Sequence, residues 1–230
     1  MKTSFIRKLP NSFSTTQFDA LSEHYDDYGQ EIIMSSNNFA ISMFQNTYEK
    51  SYELGKNLKV QTRQLILDTE TTGFSPENGD RIVEVGIIEL IDRKLTGNTF
   101  HVYLNPERSV GASQHIHGLS DDRLRGEPLF AEIADELEAF INGAEVIAHN
   151  AQFDMRFLDA ELQSVGRSPL TERIQVTDSL ILARKMFPQQ KNTLDALAIR
   201  FNVKERDRTF HGALLDAEIL ADVYLQLTNV

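Results

Sequence analysis

The feature that most constrains the fold is a series of short apolar segments whose spacing changes along the chain. Three such segments come first, and their β-branched composition predicts three strands connected in sequence order. Two further short segments alternate with stretches of helical periodicity. The predicted strands cover residues 64–68, 81–91, 99–104, 145–149 and 174–177. Strands followed by such an alternation indicate an α/β fold in which helices flank a mixed sheet.

Helical periodicity is clearest at residues 130–141. Apolar residues recur there at i, i+3, i+4 and i+7 before Gly143, and this spacing places them on one face of an amphipathic helix that a glycine ends. The predicted helices cover residues 130–141, 153–165, 193–201 and 212–227. Together with the strands they occupy most of residues 63–230, which we predict to form one functional domain.

Residues 1–62 differ from the rest of the chain. They are rich in Ser, Asn, Gln and Thr, their aromatic residues are scattered, and no period is sustained. We find no motif for catalysis or ligand binding there. We therefore predict an N-terminal extension of unknown role that is poorly ordered.

Charge and cysteine content narrow the function. The formal net charge is −11, and positions 65–230 hold twenty-seven acidic and sixteen basic residues, which argues against a broad basic surface that coats nucleic acid. The absence of cysteine excludes disulfides and zinc–thiolate sites, so oxygen or imidazole must hold any metal. No apolar run approaches the roughly 20 residues that cross a bilayer. With no secretory signal at the start, the sequence predicts a cytoplasmic protein.

Two acids lie at the end of the first predicted strand. Because side chains alternate along a strand, Asp68 and Glu70 point the same way, about 6–7 Å apart. This spacing lets two carboxylates share a pair of metal ions. Two acids on an ordinary solvated strand face have the same spacing, but a place at the end of a buried strand favours a ligand site.

Two more fragments place acids where helices begin. Asn150 can cap the helix that carries Asp154 on its first turn, and His211 precedes the last helix, which carries Asp216 one turn in. Taken singly, each acid also fits an ordinary first-turn residue that suits the helix dipole. Together, the three fragments supply four carboxylates and one histidine.

This set of side chains is the one that a two-metal phosphodiester hydrolase needs. In such a site, two cations about 3.5–4 Å apart bind the scissile phosphate, activate the attacking water and stabilise the leaving oxygen. Carboxylate ligands suit Mg²⁺ or Mn²⁺. Imidazole has an unperturbed pKa of about 6.5, so a histidine is suited to take a proton from water at neutral pH.

Residues 63–228 resemble the DEDDh 3′–5′ exonucleases of the ribonuclease-H-like fold, and within them the exonuclease domain of the epsilon (proofreading) subunit of bacterial DNA polymerase III. The matching stretches are residues 67–73, 95–104, 149–154, 176–180, 183–188 and 211–216. The resemblance implies a ribonuclease-H-like mixed five-stranded sheet flanked by helices. It also implies a metal-dependent exodeoxyribonuclease that releases nucleoside 5′-monophosphates from DNA 3′ ends and proofreads during DNA replication.

The resemblance implies roles for individual residues as well. The implied catalytic residues are Asp68, Glu70, Asp154, His211 and Asp216, with the four acids as metal ligands and the histidine as general base. The residues implied to contact the substrate are Thr69, Glu70, Thr72, Ile116, His117, Asn150, Phe153 and His211. Among them, Ile116 and His117 are expected to meet the terminal base and sugar, although His117 also fits a loop histidine without a role.

The implied partners are a single-stranded or frayed DNA 3′ end and the core subunits of DNA polymerase III. In the family a tail beyond this domain binds the polymerase, and the sequence ends at Val230, which weakens the second expectation. Two alternatives stay open. An RNA-trimming exonuclease can use the same site, because no motif fixes discrimination of the 2′-hydroxyl. A non-catalytic module that binds a replication partner is the other, although it has no need for four mutually repelling carboxylates.

Overall fold

The computed structural model describes residues 61–203 and 210–229. Within these ranges five strands form one mixed sheet in the order β3-β2-β1-β4-β5. The strands are β1 (Arg63–Thr71), β2 (Ile82–Ile91), β3 (Lys94–Tyr103), β4 (Glu145–Ala148) and β5 (Gln175–Asp178). The first three pair antiparallel, while β4 lies parallel to β1 and β5 lies parallel to β4. The predicted mixed five-stranded sheet with flanking helices is confirmed.

The helices of the described ranges surround this sheet. They are α1 (Gln114–His117), α2 (Asp121–Leu124), α3 (Phe130–Ile141), α4 (Ala151–Ser164), α5 (Ser179–Met186), α6 (Leu194–Arg200) and α7 (Ala213–Leu227). The four predicted helices correspond to α3, α4, α6 and α7, with bounds within two residues. The short helices α1, α2 and α5 were not predicted. For α5 the signal was Asp178, whose side chain accepts hydrogen bonds from the backbone N–H groups of Leu180 and Ile181 and caps the helix.

The start of the third strand was predicted wrongly. β3 begins at Lys94 rather than at residue 99, because Asp92 and Arg93 both adopt a positive φ, 49° and 64°, and turn the chain tightly from β2 into β3. Residues 94–99 are exposed, so they lack the apolar alternation that would have marked a strand. β1 also continues to Thr71, three residues past the predicted end at Asp68.

Both faces of the sheet are covered. Leu65 and Leu67 of β1 belong to a core cluster with α3 and α4, whereas Ile66 belongs to a second cluster with α7. Since alternate side chains share a face, Asp68 and Glu70 continue the row of Ile66 toward α7. The apolar part of β1 therefore fixes which side of the sheet the two acids occupy.

The predicted N-terminal extension, residues 1–62, lies outside the described residues apart from Gln61 and Thr62. Its role and its order stay predictions, as does the boundary at residue 63. Across the described ranges, the structure contains no helix that is both long enough and apolar enough to cross a membrane.

Candidate active site

The first two candidate residues lie on β1, beside the start of α7. Asp68 pairs with Gly86 of β2, and a Cβ added to Gly86 would lie 2.3 Å from the backbone nitrogen of Leu214. Glycine at this position therefore lets the first turn of α7 pack directly against the sheet. This close approach brings Asp216 of α7 to the face that carries Asp68 and Glu70.

Three candidate residues meet in one cluster of ligand atoms. One atom each from Glu70, His211 and Asp216 lies within 4.8 Å of the other two. The His211 Nδ1 is 3.0 Å from Asp216 Oδ2, which orients the imidazole ring. Glu70 and Asp216 are buried, while 46% of the His211 side chain is exposed, so the histidine faces the side from which solvent reaches the cluster.

Asp154 approaches from α4. It lies on the first turn of the helix and is buried, and the Thr69 hydroxyl donates a hydrogen bond to its Oδ1 at 2.7 Å. The prediction that the side chain of Asn150 caps this helix is wrong. Asn150 occupies the N-cap position with φ 70° and makes no side-chain cap, and its backbone N–H instead donates to Asp178 Oδ1 at 3.1 Å.

Burial raises the pKa of two of these carboxylates, and neighbouring acids add to both shifts. Burial raises the pKa of Asp68 well above its ordinary value, and the charges of Asp154, Glu70 and Asp216 raise it further. Burial likewise raises the pKa of Asp154 to about 7, although the hydrogen bond from Thr69 opposes the shift. Bound cations would relieve this repulsion, and a donor set of carboxylate oxygens with one imidazole fits hard divalent ions.

A pocket of about 280 Å³ lies next to the acidic cluster. Six of the eight residues predicted to contact substrate line it: Thr69, Glu70, Thr72, Ile116, His117 and Phe153. Asn150 and His211 are not among its lining residues, although the His211 backbone N–H donates to the Ile116 carbonyl at 3.1 Å. Phe74 also lines the pocket and is 76% exposed, and sequence reasoning missed it.

His117 is buried at the end of α1 rather than placed on an open loop. Its Nδ1 accepts a hydrogen bond from the backbone N–H of Leu119 at 3.0 Å, so the proton of the neutral ring lies on Nε2. This Nε2 is buried and has no hydrogen-bond partner in the described part of the chain. Burial lowers the pKa of His117, which favours the neutral ring. His117, a lining residue of the pocket, therefore carries a buried donor without a partner among the described residues.

A further buried carboxylate beside this group of acids was missed. Glu84 of β2 lies directly opposite Glu70 and is 3% exposed. The available signal was a charged residue between the apolar residues Val83 and Val85 of a predicted strand, but the sequence did not reveal which residue of β1 it would face.

Comparison with solved structures shows the fold. The chain is similar to the nuclease domain of 3′hExo, a DEDDh family member bound to rAMP, with a TM-score of 0.64 and 16% identity over 74% of this chain and 94% of that one. It is also similar to exonuclease X in complex with 5′ overhanging duplex DNA, with a TM-score of 0.57 and 24% identity over 72% and 91% of the two chains.

Comparison of sequences shows the family. The family model described as Exonuclease (RNase_T) matches residues 65–224. The DNA polymerase III subunit epsilon of Escherichia coli (strain K12) is 50% identical over 175 residues, which cover 73% of this chain and 72% of that protein. The subunit epsilon of Pasteurella multocida (strain Pm70) is 47% identical over 174 residues, covering 73% and 69%. The chain therefore belongs to the exonuclease family, and it is an epsilon-like 3′–5′ exonuclease.

Proposed function

We propose that the clustered acids and the histidine form the metal centre with which this exonuclease hydrolyses DNA from its 3′ end. Asp68, Glu70, Asp154 and Asp216 bind two divalent cations, and His211 is the general base. The observation that carries the proposal is the convergence of Glu70 with His211 and Asp216, whose ligand atoms lie within 4.8 Å of one another although Glu70 comes from a distant part of the chain.

The ligands favour Mg²⁺ or Mn²⁺, because four carboxylates and no thiolate make a hard donor set. When bound, such ions activate water, hold the scissile phosphate and stabilise the leaving oxygen. The protein keeps the carboxylates in place for this purpose. Thr69 holds one oxygen of Asp154 by a hydrogen bond, and the position of Asp216 follows from the close packing of α7 on Gly86.

His211 takes the proton from the attacking water. The hydrogen bond between its Nδ1 and Asp216 Oδ2 fixes the orientation of the ring, and the exposed part of the side chain faces incoming water. The water oxygen then forms a bond to the terminal phosphorus while the bond to the 3′-oxygen of the preceding nucleotide breaks. The 3′-oxygen takes up a proton, and a nucleoside 5′-monophosphate leaves.

The adjacent pocket holds the terminal nucleotide. Its volume of about 280 Å³ lies near the low end of small-molecule sites and suits one nucleotide. The buried Nε2–H of His117 donates to an acceptor on the sugar or base, and Ile116 and Phe153 contact the apolar faces. Thr69 and Thr72 also line this pocket and border the terminal nucleotide, whereas Asn150 contacts the substrate from outside the lining of the pocket.

The names of the relatives support a role in replication. Proteins about 50% identical to this chain are subunits of DNA polymerase III, which favours proofreading of newly synthesised DNA over RNA trimming. By the same reasoning, the polymerase core is the expected protein partner and the cytoplasm the expected location. The non-catalytic alternative requires no such gathering of buried acids.

Digestion of matched oligonucleotides tests this function. Incubation with Mg²⁺ and 3′-labelled single-stranded DNA should release labelled mononucleotides, and a 5′-labelled strand should shorten by single nucleotides. An RNA strand of the same sequence should be degraded more slowly. Persistence of full-length DNA with folded protein, or the appearance of internal fragments first, would contradict a 3′–5′ exonuclease. Faster loss of RNA than of DNA would instead favour the RNA-trimming alternative.

A further inference from the structure

Glu84 lies beside the metal centre but is not one of its proposed ligands. It is directly opposite Glu70 in the β1–β2 pairing, so the two side chains share the face of the sheet that α7 covers. Glu84 is 3% exposed. Like charges in such a pair destabilise a sheet, and burial increases the cost because water does not screen them. A buried Glu84 opposite Glu70 is therefore expected to have a function that offsets this loss of stability.

The bonding partner of Glu84 lies on the side away from Glu70. His101 of β3 places its Nε2 2.8 Å from Glu84 Oε1. The His101 ring packs edge-on against Tyr103 at 5.0 Å, and the Arg123 guanidinium lies 4.6 Å from the centre of the Tyr103 ring. These contacts fix the orientation of the carboxylate. Within the described ranges, no lysine or arginine forms an ion pair with it.

The segment that carries the proposed base runs along the other side of Glu84. A Cβ added to Gly212 would lie 3.9 Å from both carboxylate oxygens of Glu84. Glu84 therefore lies next to the backbone that follows His211 and opposite Glu70. Its charge also contributes to the raised pKa of Asp68, after the larger effects of burial and of Asp154, Glu70 and Asp216.

We infer that Glu84 is a positioning residue of the metal centre: held by His101, it adds negative charge outside the ligand set and so strengthens binding of the paired cations. This inference rests on the proposed function, because it assigns a role toward the metals that the other acids bind. The physical basis is that partners just outside a ligand set tune the affinity of a metal site. In the metal-free protein, Glu84 is destabilising because its charge adds to the repulsion among the carboxylates.

Glu84→Gln tests the inference, since glutamine keeps the shape and an acceptor for His101 while removing the charge. Calorimetric titration with Mg²⁺ should show a dissociation constant increased about tenfold over the wild type. In EDTA, the variant should melt at the same temperature as the wild type or higher, because repulsion is reduced. Relative to the wild type, the exonuclease rate of Glu84→Gln should fall more at limiting Mg²⁺ than at saturating Mg²⁺. Glu84→Asp, which keeps the charge, should recover part of the affinity.

Glu89→Gln is the matched control on the same strand. Glu89 is also buried, but it bonds Arg63 at the other end of β2, so this change should lower the melting temperature and leave Mg²⁺ affinity as in the wild type. Wild-type Mg²⁺ affinity retained by Glu84→Gln would overturn the inference while leaving the metal centre intact. Failure of the wild type itself to bind Mg²⁺ would instead overturn the proposed function.

Discussion

At the start of β1, Glu89 of the neighbouring strand accepts hydrogen bonds from Arg63, Thr96 and Asn98, whereas at the end of β1 Asp68 and Glu70 lie among other acids. The ion-paired hydrogen bond from Arg63 lowers the pKa of Glu89, with smaller contributions from the other two donors. At the opposite end, burial and neighbouring carboxylates raise the pKa of Asp68. The same two strands thus hold buried acids in opposite electrostatic environments.

This difference separates acids that stabilise the fold from acids that are kept for chemistry. A buried carboxylate is tolerated when a cation and hydrogen bonds satisfy it, as they also do at Glu161, which accepts two hydrogen bonds from Arg81 at 2.8 and 2.7 Å and one from the Ile82 N–H. At Asp68, by contrast, the largest neighbouring charges come from the acids Asp154, Glu70 and Asp216. In our proposal, metal ions supply to this group of acids the positive charge that Arg63 supplies to Glu89 and Arg81 supplies to Glu161.

Replacing one carboxylate by an amide at each end of the β1–β2 pair should give the largest contrast in exonuclease rate and melting temperature. Asp68→Asn removes a proposed metal ligand, and we expect the exonuclease rate to fall on the order of 10³-fold while the melting temperature in EDTA stays level or rises. Glu89→Gln removes the partner of Arg63 and should lower the melting temperature by a few degrees with little loss of rate. Release of 3′-terminal label and thermal denaturation measure both. If Asp68→Asn kept the exonuclease rate of the wild type, Asp68 would not be a ligand of the metal centre.

The next largest effect is expected at His211, which is proposed to take a proton from the attacking water. It belongs to the acidic end of β1, the group formed by Asp68, Glu70, Asp154, His211 and Asp216. His211→Gln should lower the rate at saturating Mg²⁺ about 10²-fold or more and retain calorimetric Mg²⁺ binding. His115→Gln, at an exposed histidine of α1, is the control and should behave as the wild type. Loss of Mg²⁺ binding in His211→Gln would show that the ring is a metal ligand, a role that its place in the cluster also permits.

The acidic end was largely predictable because local rules position its members. The alternation along a strand puts Asp68 and Glu70 on one face, and Asp154 begins a helix directly after a short strand, at the same edge of the sheet. Asp216 begins a helix too, and its position depends on the packing of that helix on Gly86. The contact between Glu84 and Glu70 was not predictable, since it depends on the register of two strands. That register even shifts at Glu70/Thr71, and no local pattern encodes such a shift.

The pocket was predicted less completely than the acids. The burial of His117 follows from α1, a single turn too short to show helical periodicity. The exposed Phe74 has no pattern that distinguishes it from an ordinary loop aromatic. Both residues acquire a role only from what the fold places beside them, namely Glu70, Ile116 and Phe153 along the same wall.

Removal of the metal ions should change the stability of the fold by an amount that depends on pH, because the pKa of Asp154 is raised. The pKa of Asp154 is about 7 in the fold and about 3.9 in an unfolded chain, so the contribution of Asp154 to the stability of the metal-free protein falls as the pH rises between these values. Mg²⁺ binds the ionised carboxylates, so its stabilising effect should grow over the same range. The difference between melting temperatures in Mg²⁺ and in EDTA should therefore be several degrees larger at pH 8 than at pH 5.5.

Glu89 makes the opposite contribution. Because its pKa is lowered in the fold, the stability that it provides is lost only as the pH falls below about 4, outside the range compared. Asp154→Asn should weaken the pH dependence seen in EDTA, whereas Glu89→Gln should leave it in place. A difference between Mg²⁺ and EDTA that is equal at the two pH values would contradict the proposed role of Asp154.

The smallest effect is expected from two matched hydroxyl groups. Thr69 Oγ1 donates to Asp154 Oδ1 at 2.7 Å, and Thr96 Oγ1 donates to Glu89 Oε2 at 2.8 Å. Valine keeps the shape and removes the donor in each case. Thr69→Val should weaken Mg²⁺ binding about threefold to tenfold, because Asp154 loses the hydrogen bond that orients it and opposes its raised pKa.

Thr96→Val should leave Mg²⁺ affinity unchanged, because Glu89 keeps Arg63 and Asn98 as donors. Calorimetric titration of both variants with Mg²⁺ measures the contrast, and equal affinities would contradict it. The two effects are expected to differ because the Thr69 hydroxyl bonds Asp154, a proposed metal ligand. The Thr96 hydroxyl bonds Glu89, which already accepts a hydrogen bond from Arg63. A lost hydrogen bond therefore appears as weaker metal binding at one end of the strand pair and as a small loss of stability at the other.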